Sequence, residues 1–144
     1  MKKIALALAL TLASTVGALA EGVTHYLAIH VDENDPQVMN LALNNAQNVT
    51  SFYEAKGDTV VIEMVAYGPG LNMYIEGKSP VADRIATMSL EMENLSFAAC
   101  GNTHRNMSLK AGKEIVLLSE ATMVPSGVVR LMELQEDGYS YVRP

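Results

Sequence analysis

The 144-residue chain carries 10 Lys and Arg against 16 Asp and Glu, a formal net charge of −6, and is 49% apolar. That length suffices for one domain with a real core. The scattered acids argue against a nucleic-acid partner, whose phosphates demand a basic face, and against charge-driven binding to anionic lipid.

Residues 1–20 read as an export signal. Lys2 and Lys3 make a basic start, residues 4–16 are almost wholly apolar, and Ala18-Leu19-Ala20 is a small-x-small cleavage pattern. Cleavage is expected after Ala20, leaving residues 21–144 as a single periplasmic or otherwise exported domain. The apolar run is too short for a membrane span and no second one follows, so no membrane association is expected after cleavage.

The elements follow in order. Thr24–Val31 (THYLAIHV) predicts a first strand, ended by the acidic turn "DENDP". Asp35 is placed to cap a helix whose first residue is Pro36, where a missing N–H has no consequence. Val38, Leu41, Ala42, Ala46, Val49, Phe52 and Tyr53 recur at helical spacing, and Gly57 suits the left-handed position beyond the helix. Thr59–Ala66 (TVVIEMVA) predicts a second strand, followed by the glycine turn "YGPG" at Gly68 and Gly70. Residues 71–75 read as a short helix or strand. Ser79-Pro80 opens a helix with Val81, Ile85, Met88 and Met92 as its stripe.

Leu95–Cys100 (LSFAAC) predicts a third strand, residues 103–111 a short helix ended by Gly112, and residues 115–118 (IVLL) a fourth strand. Ser126 is placed to cap a helix carrying Val128, Leu131, Met132 and Gln135 inward, and residues 139–142 form a last short strand. Alternating strands and helices predict an α/β domain: a parallel sheet with helices on both faces.

Cys100 is the only cysteine, although an oxidising compartment ordinarily uses cysteines in pairs. It ends a predicted strand. Gly101 allows a sharp turn, and Asn102 or Thr103 is placed to cap the next helix. In an open parallel sheet, function collects at such strand ends, and free backbone N–H groups there favour a thiolate. His104 and Arg105 would add to this if they turned towards the sulfur. The other reading is equally open: free cysteine is among the most buried residue types, and "FAAC" suits packing. Cys100 and His104 stand four apart, but three histidines and one cysteine make no recognised ligand spacing, so no metal and no cofactor is expected. His25 and His30, five apart on one strand, point to opposite faces, with His25 expected to be exposed.

The blocks "HVDENDPQVMNLALNNAQNV", "VAYGPGLNMYIEG", "SPVADRIATM", "FAACGNT" and "VVRLMELQEDGYSYVRP" together resemble the DsrE/DsrF-like family, over residues 26–144 and in order. The resemblance implies a Rossmann-like three-layer sandwich with a five-stranded, mainly parallel sheet. It also implies homo-oligomers, commonly trimers or hexamers. Relatives in sulfur oxidation and tRNA thiolation relay sulfur as a cysteine persulfide. Because "FAACGNT" holds the cysteine, the resemblance makes Cys100 the candidate carrier, with a sulfur donor or acceptor protein as partner; by position Gly101, Asn102 and Thr103 would support it, while Gly68 and Gly70 either line the thiol site or form an ordinary strand-exit turn. The expectation is therefore an exported persulfide carrier or sulfur-metabolism accessory. The alternative is a non-catalytic oligomeric binding module in which Cys100 only packs. A thiol-based redox or metal sensor is the third reading.

Overall fold

The computed structural model describes residues 22–144; the expected signal, residues 1–20, and its cleavage point lie outside the described residues. Five strands, β1 (Thr24–Val31), β2 (Thr59–Ala66), β3 (Leu95–Cys100), β4 (Ala121–Val124) and β5 (Ser140–Val142), form one sheet in the order β4-β3-β2-β1-β5. Every pairing is parallel. The helices are α1 (Pro36–Glu54), α2 (Ala82–Glu91), α3 (Gly101–Ala111) and α4 (Gly127–Glu136), with a 3-10 segment at Gly68–Tyr74. The chain is thus a Rossmann-like α/β domain, all-parallel rather than mainly so.

Local chemistry sets the element ends. Asp35 accepts the N–H of Gln37 at 2.7 Å, and Pro36 occupies the first turn of α1. Gly112 closes α3 at φ +66°, a left-handed position that glycine adopts without strain.

Side chains alternate across the strands and sort into two unlike faces. On one, Ile29, Ile62, Met64 and Phe97 pack with Leu43 of α1, Ile85 and Met88 of α2, and Tyr74 of the 3-10 segment. On the other, the small residues Ala28, Val65 and Ala98 lie under Leu131 and Leu134 of α4. The first face is the main core; the second carries a thin layer that lets α4 approach closely.

Several expectations are corrected. The fourth strand is residues 121–124, not 115–118. The IVLL run instead pairs with the chain after the 3-10 segment: Leu117 bridges Ile75 in antiparallel fashion, and Leu118 N–H donates to the Tyr74 carbonyl at 2.8 Å. Leu117 and Leu118 still reach the core, which is why the run is apolar. In α4 the inward residues are Gly127, Leu131 and Leu134, whereas Val128 and Met132 face solvent. Ser126 holds the cap position, but its side chain makes no capping bond. In α1, Met39 and Leu43 are inward while Leu41 and Phe52 are exposed. Residues 71–75 belong to the 3-10 segment, and α2 begins at Ala82, after Ser79 Oγ accepts the N–H of Val81 at 3.3 Å.

Candidate functional site

Cys100 is the last residue of β3 and also the N-cap of α3, so its sulfur faces the unpaired N–H groups of that helix. Sγ accepts the Thr103 N–H at 3.4 Å. The hydroxyl of Thr103 and the backbone N–H groups of Gly127 and Asn102 stand around it and favour its ionised form. Gly127 is the first residue of α4. The positive ends of two helices therefore converge on one sulfur. Burial by itself pushes the thiol up; the Thr103 hydroxyl, then the N–H groups of Gly127, Thr103 and Asn102, outweigh it and hold the thiol below its ordinary value. Cys100 is only 4% exposed, but its surroundings are hydrogen-bond donors as well as hydrocarbon.

The supporting residues act through identifiable contacts. Gly68, at φ +54°, donates its N–H to Thr103 Oγ1 at 2.9 Å. This bond fixes the Thr103 hydroxyl through its oxygen and leaves its proton free to donate. Gly70 lies against the end of β1, where an added Cβ would collide with the Val31 carbonyl. At Gly101 a Cβ would stand 3.0 Å from the Val124 carbonyl, so glycine lets the β4–α4 link close over β3. Asn102 N–H donates to the Pro125 carbonyl at 3.2 Å, which ties the start of α3 to the β4–α4 link.

His104 and Arg105 do not turn towards the sulfur. The buried His104 ring places Nε2 2.6 Å from the Ile115 carbonyl, and the Arg105 guanidinium donates to Asn102 Oδ1 at 2.6 Å. His25 is half-buried rather than exposed, stacked on Tyr53 at 3.7 Å between ring centres.

Other residues stand beside Cys100 that the sequence reading did not assign to the site. Tyr67 follows β2 one step beyond the Ala66–Ala99 pair, which brings it level with Cys100. A Cβ on Gly127 would approach Tyr67 Cβ to 2.9 Å and Cys100 Cβ to 3.2 Å, so glycine is what lets α4 aim its first N–H at the sulfur between them. The Tyr67 ring stacks on His30 at 4.6 Å. His30 Nδ1 is hydrogen-bonded to the Tyr141 hydroxyl at 2.7 Å, and Asp32, 3.8 Å from Nε2, is held by Arg143 at 2.9 Å.

Below the sulfur on the thin face is a cleft of about 390 Å³ lined by Glu63, Ala98, Val124, Ser126, Val129 and Arg130. Ala98 lies two residues before Cys100 on the same face, and Val124 is the register partner of Cys100. In this cleft Arg130 grips Glu63 through two hydrogen bonds of 2.7 and 2.6 Å, which raises the arginine further above its already high range. Arg130 also stands 3.6 Å from Glu133, three residues on along α4. Among the described residues no group of three His, Cys, Asp or Glu side chains is placed to hold a metal ion.

No family model matches the chain, and no curated protein matches it. It is similar to a solved structure, a protein of unknown function from Methanobacterium thermoautotrophicum, at 28% identity and a TM-score of 0.69, covering 83% of this chain and 99% of that one. That likeness confirms the compact α/β fold on which the strand-end geometry rests.

Proposed function

We propose that the protein carries sulfur as a persulfide on Cys100. The observation behind this reading is the place of a single unpaired thiol as N-cap of α3, accepting the Thr103 N–H, with Gly127 at the start of α4 packed against it. Loading would proceed by attack of the Cys100 thiolate on the terminal sulfur of a polysulfide. A bond forms from Sγ to that sulfur, the adjacent S–S bond breaks, and its electron pair leaves on the shortened polysulfide. No oxidant is needed. With a lone cysteine there is no second thiol in the chain to displace the cargo into an internal disulfide.

In this reading the chain is a DsrE/DsrF-like protein, exported after loss of residues 1–20, working as a homotrimer or homohexamer with a sulfur donor and acceptor. The exposed Val128 and Met132 of α4 favour subunit contacts on the thin face. Light scattering of the purified protein should give a multiple of the monomer mass; a clean monomer removes this part of the proposal.

Exposure of purified protein to polysulfide should add about 32 Da, one sulfur atom, at Cys100. A thiol that neither gains this mass nor reacts with an alkylating agent in the folded protein ends the carrier reading. The near-complete burial of Cys100 favours a second reading, a binding module in which the residue packs. Cys100→Ser separates the two: lost stability with retained biological role supports packing, and retained stability with lost role supports chemistry.

A further inference from the structure

The strand order reverses between β1 and β5: the chain runs outward from β1 through β2 and β3 to β4, then returns to place β5 on the other side of β1. In open parallel sheets, ligands bind beyond the strand ends at such a reversal. Here that point holds His30, at the end of β1 and on the same face as Cys100. His30 is 4% exposed, and its Nε2 is the one buried side-chain polar atom without a hydrogen-bond partner among the described residues. Native proteins rarely leave such an atom unpaired unless something from outside completes it. Asp32 lies 3.8 Å away, close enough to stabilise charge on the ring but too far to bond to it.

The distance to the sulfur fits a bridging molecule. His30 and Cys100 lie on strands separated by β2, and His30 is level with Ala98, two residues short of Cys100, so their backbones stand about 12 Å apart. A persulfide extends Sγ by about 2 Å. Two approach distances of roughly 3–3.5 Å, from outer sulfur to attacking sulfur and from that sulfur to Nε2, span most of the remainder. The intervening space is occupied by Tyr67, half-buried, stacked on His30 on one side and packed near Gly127 and Cys100 on the other.

We propose that His30 is the base that accepts the proton of the thiol which removes sulfur from Cys100, the thiol entering where the Tyr67 ring now lies. This rests on the carrier reading. The step uses the tautomer in which Nδ1–H donates to the Tyr141 hydroxyl, 2.7 Å away, and the lone pair is on Nε2. The acceptor R–SH gives its proton to Nε2, and its sulfur attacks the outer sulfur of Cys100–S–SH. The S–S bond of the carrier breaks, and the products are R–S–SH and the Cys100 thiolate, which the Thr103 N–H and the start of α3 receive as leaving group. The imidazolium is offset by Asp32. The other ionisable groups at this point are Glu33, Tyr67, Tyr141 and Arg143, the last paired with both Asp32 and Glu33. Burial, the largest influence, lowers the His30 pKa, Asp32 opposes it and Arg143 adds to it, which keeps the ring neutral near pH 7.

The test separates loading from discharge. Polysulfide is already anionic and needs no base, so His30→Gln should load Cys100 as the unmodified protein does. Discharge to free cysteine should slow by up to about thirtyfold at pH 7, where a thiol of ordinary pKa near 8.5 is roughly 3% ionised. The defect should close to within about twofold at pH 9.5, where the acceptor supplies its own thiolate. If His30→Gln folds poorly, Asp32→Asn keeps the ring and should shift the lower limb of the discharge–pH profile. Equal discharge by His30→Gln and the unmodified protein at pH 7, a defect that persists unchanged at pH 9.5, or an Asp32→Asn profile identical to the unmodified one overturns the assignment. Failure of the unmodified protein to load at all overturns the carrier reading beneath it.

Discussion

The two faces of the sheet share strands and differ in everything else. One is built from Ile62, Met64, Phe97 and Leu43, large side chains packed as a conventional core. The other is built from Ala28, Val65 and Ala98 under a single helix, and it carries His30, Glu63 and Cys100. Small residues on the second face bring the start of α4 close enough to aim an amide at the sulfur. The thick face holds the fold together; the thin face gives up apolar volume for placement of polar groups.

That division can be broken by mutation, and the largest effect belongs to the thick face. Ile62→Ala should destabilise the protein by about 2–5 kcal/mol, measured by urea unfolding, while leaving the alkylation rate of Cys100 unchanged. A matching loss of thiol reactivity would show that the faces are not separable. Glu63→Gln on the thin face should lower stability by roughly 1–3 kcal/mol, less than a fully buried pair because the Arg130 side chain is 31% exposed.

A smaller change tests the sulfur directly. Thr103→Val removes one donor to Sγ and the acceptor for Gly68 N–H. It should slow alkylation at pH 7 by roughly two- to tenfold, as expected for one net hydrogen bond. An unchanged rate would mean that the helix ends alone set the thiol.

The smallest expected effect is on acid stability. His30 has a lowered pKa in the folded state, chiefly through burial, so the unfolded chain binds more protons as pH falls below about 6.5. Stability should therefore decline through that window, and His30→Gln should flatten the decline. A steeper decline in the variant would reverse the assigned direction.

Much of the fold was legible because the central strands announce themselves. Thr24–Val31, Thr59–Ala66 and Leu95–Cys100 appear with their observed limits, since strands buried on both faces read as continuous apolar runs. The fourth strand was not legible. Residues 121–124 form a half-exposed edge whose sequence, ATMV, is less apolar than the neighbouring IVLL, and composition cannot tell a run that pairs in the sheet from one that pairs with a loop. The phase of α4 was misjudged for a related reason: Val128 and Met132 are apolar yet exposed. Within the site, the strand-end place of Cys100 followed from local sequence, but the cap of α3 did not: Cys100 itself holds it, where Asn102 or Thr103 was expected. Gly127, Tyr67 and His30 reach the sulfur's surroundings only through sheet register and the return of the chain to β5, neither of which has a local signal.

The two helices that share one sulfur have a consequence for how the molecule reports its own state. Whatever changes the charge or size of that atom alters the electrostatic environment at the start of both α3 and α4 at once, although the two segments are distant in sequence. Alkylating Cys100 should thus be visible as faster amide hydrogen exchange at two separate stretches of backbone, giving a label-free readout of a modification made at a single atom.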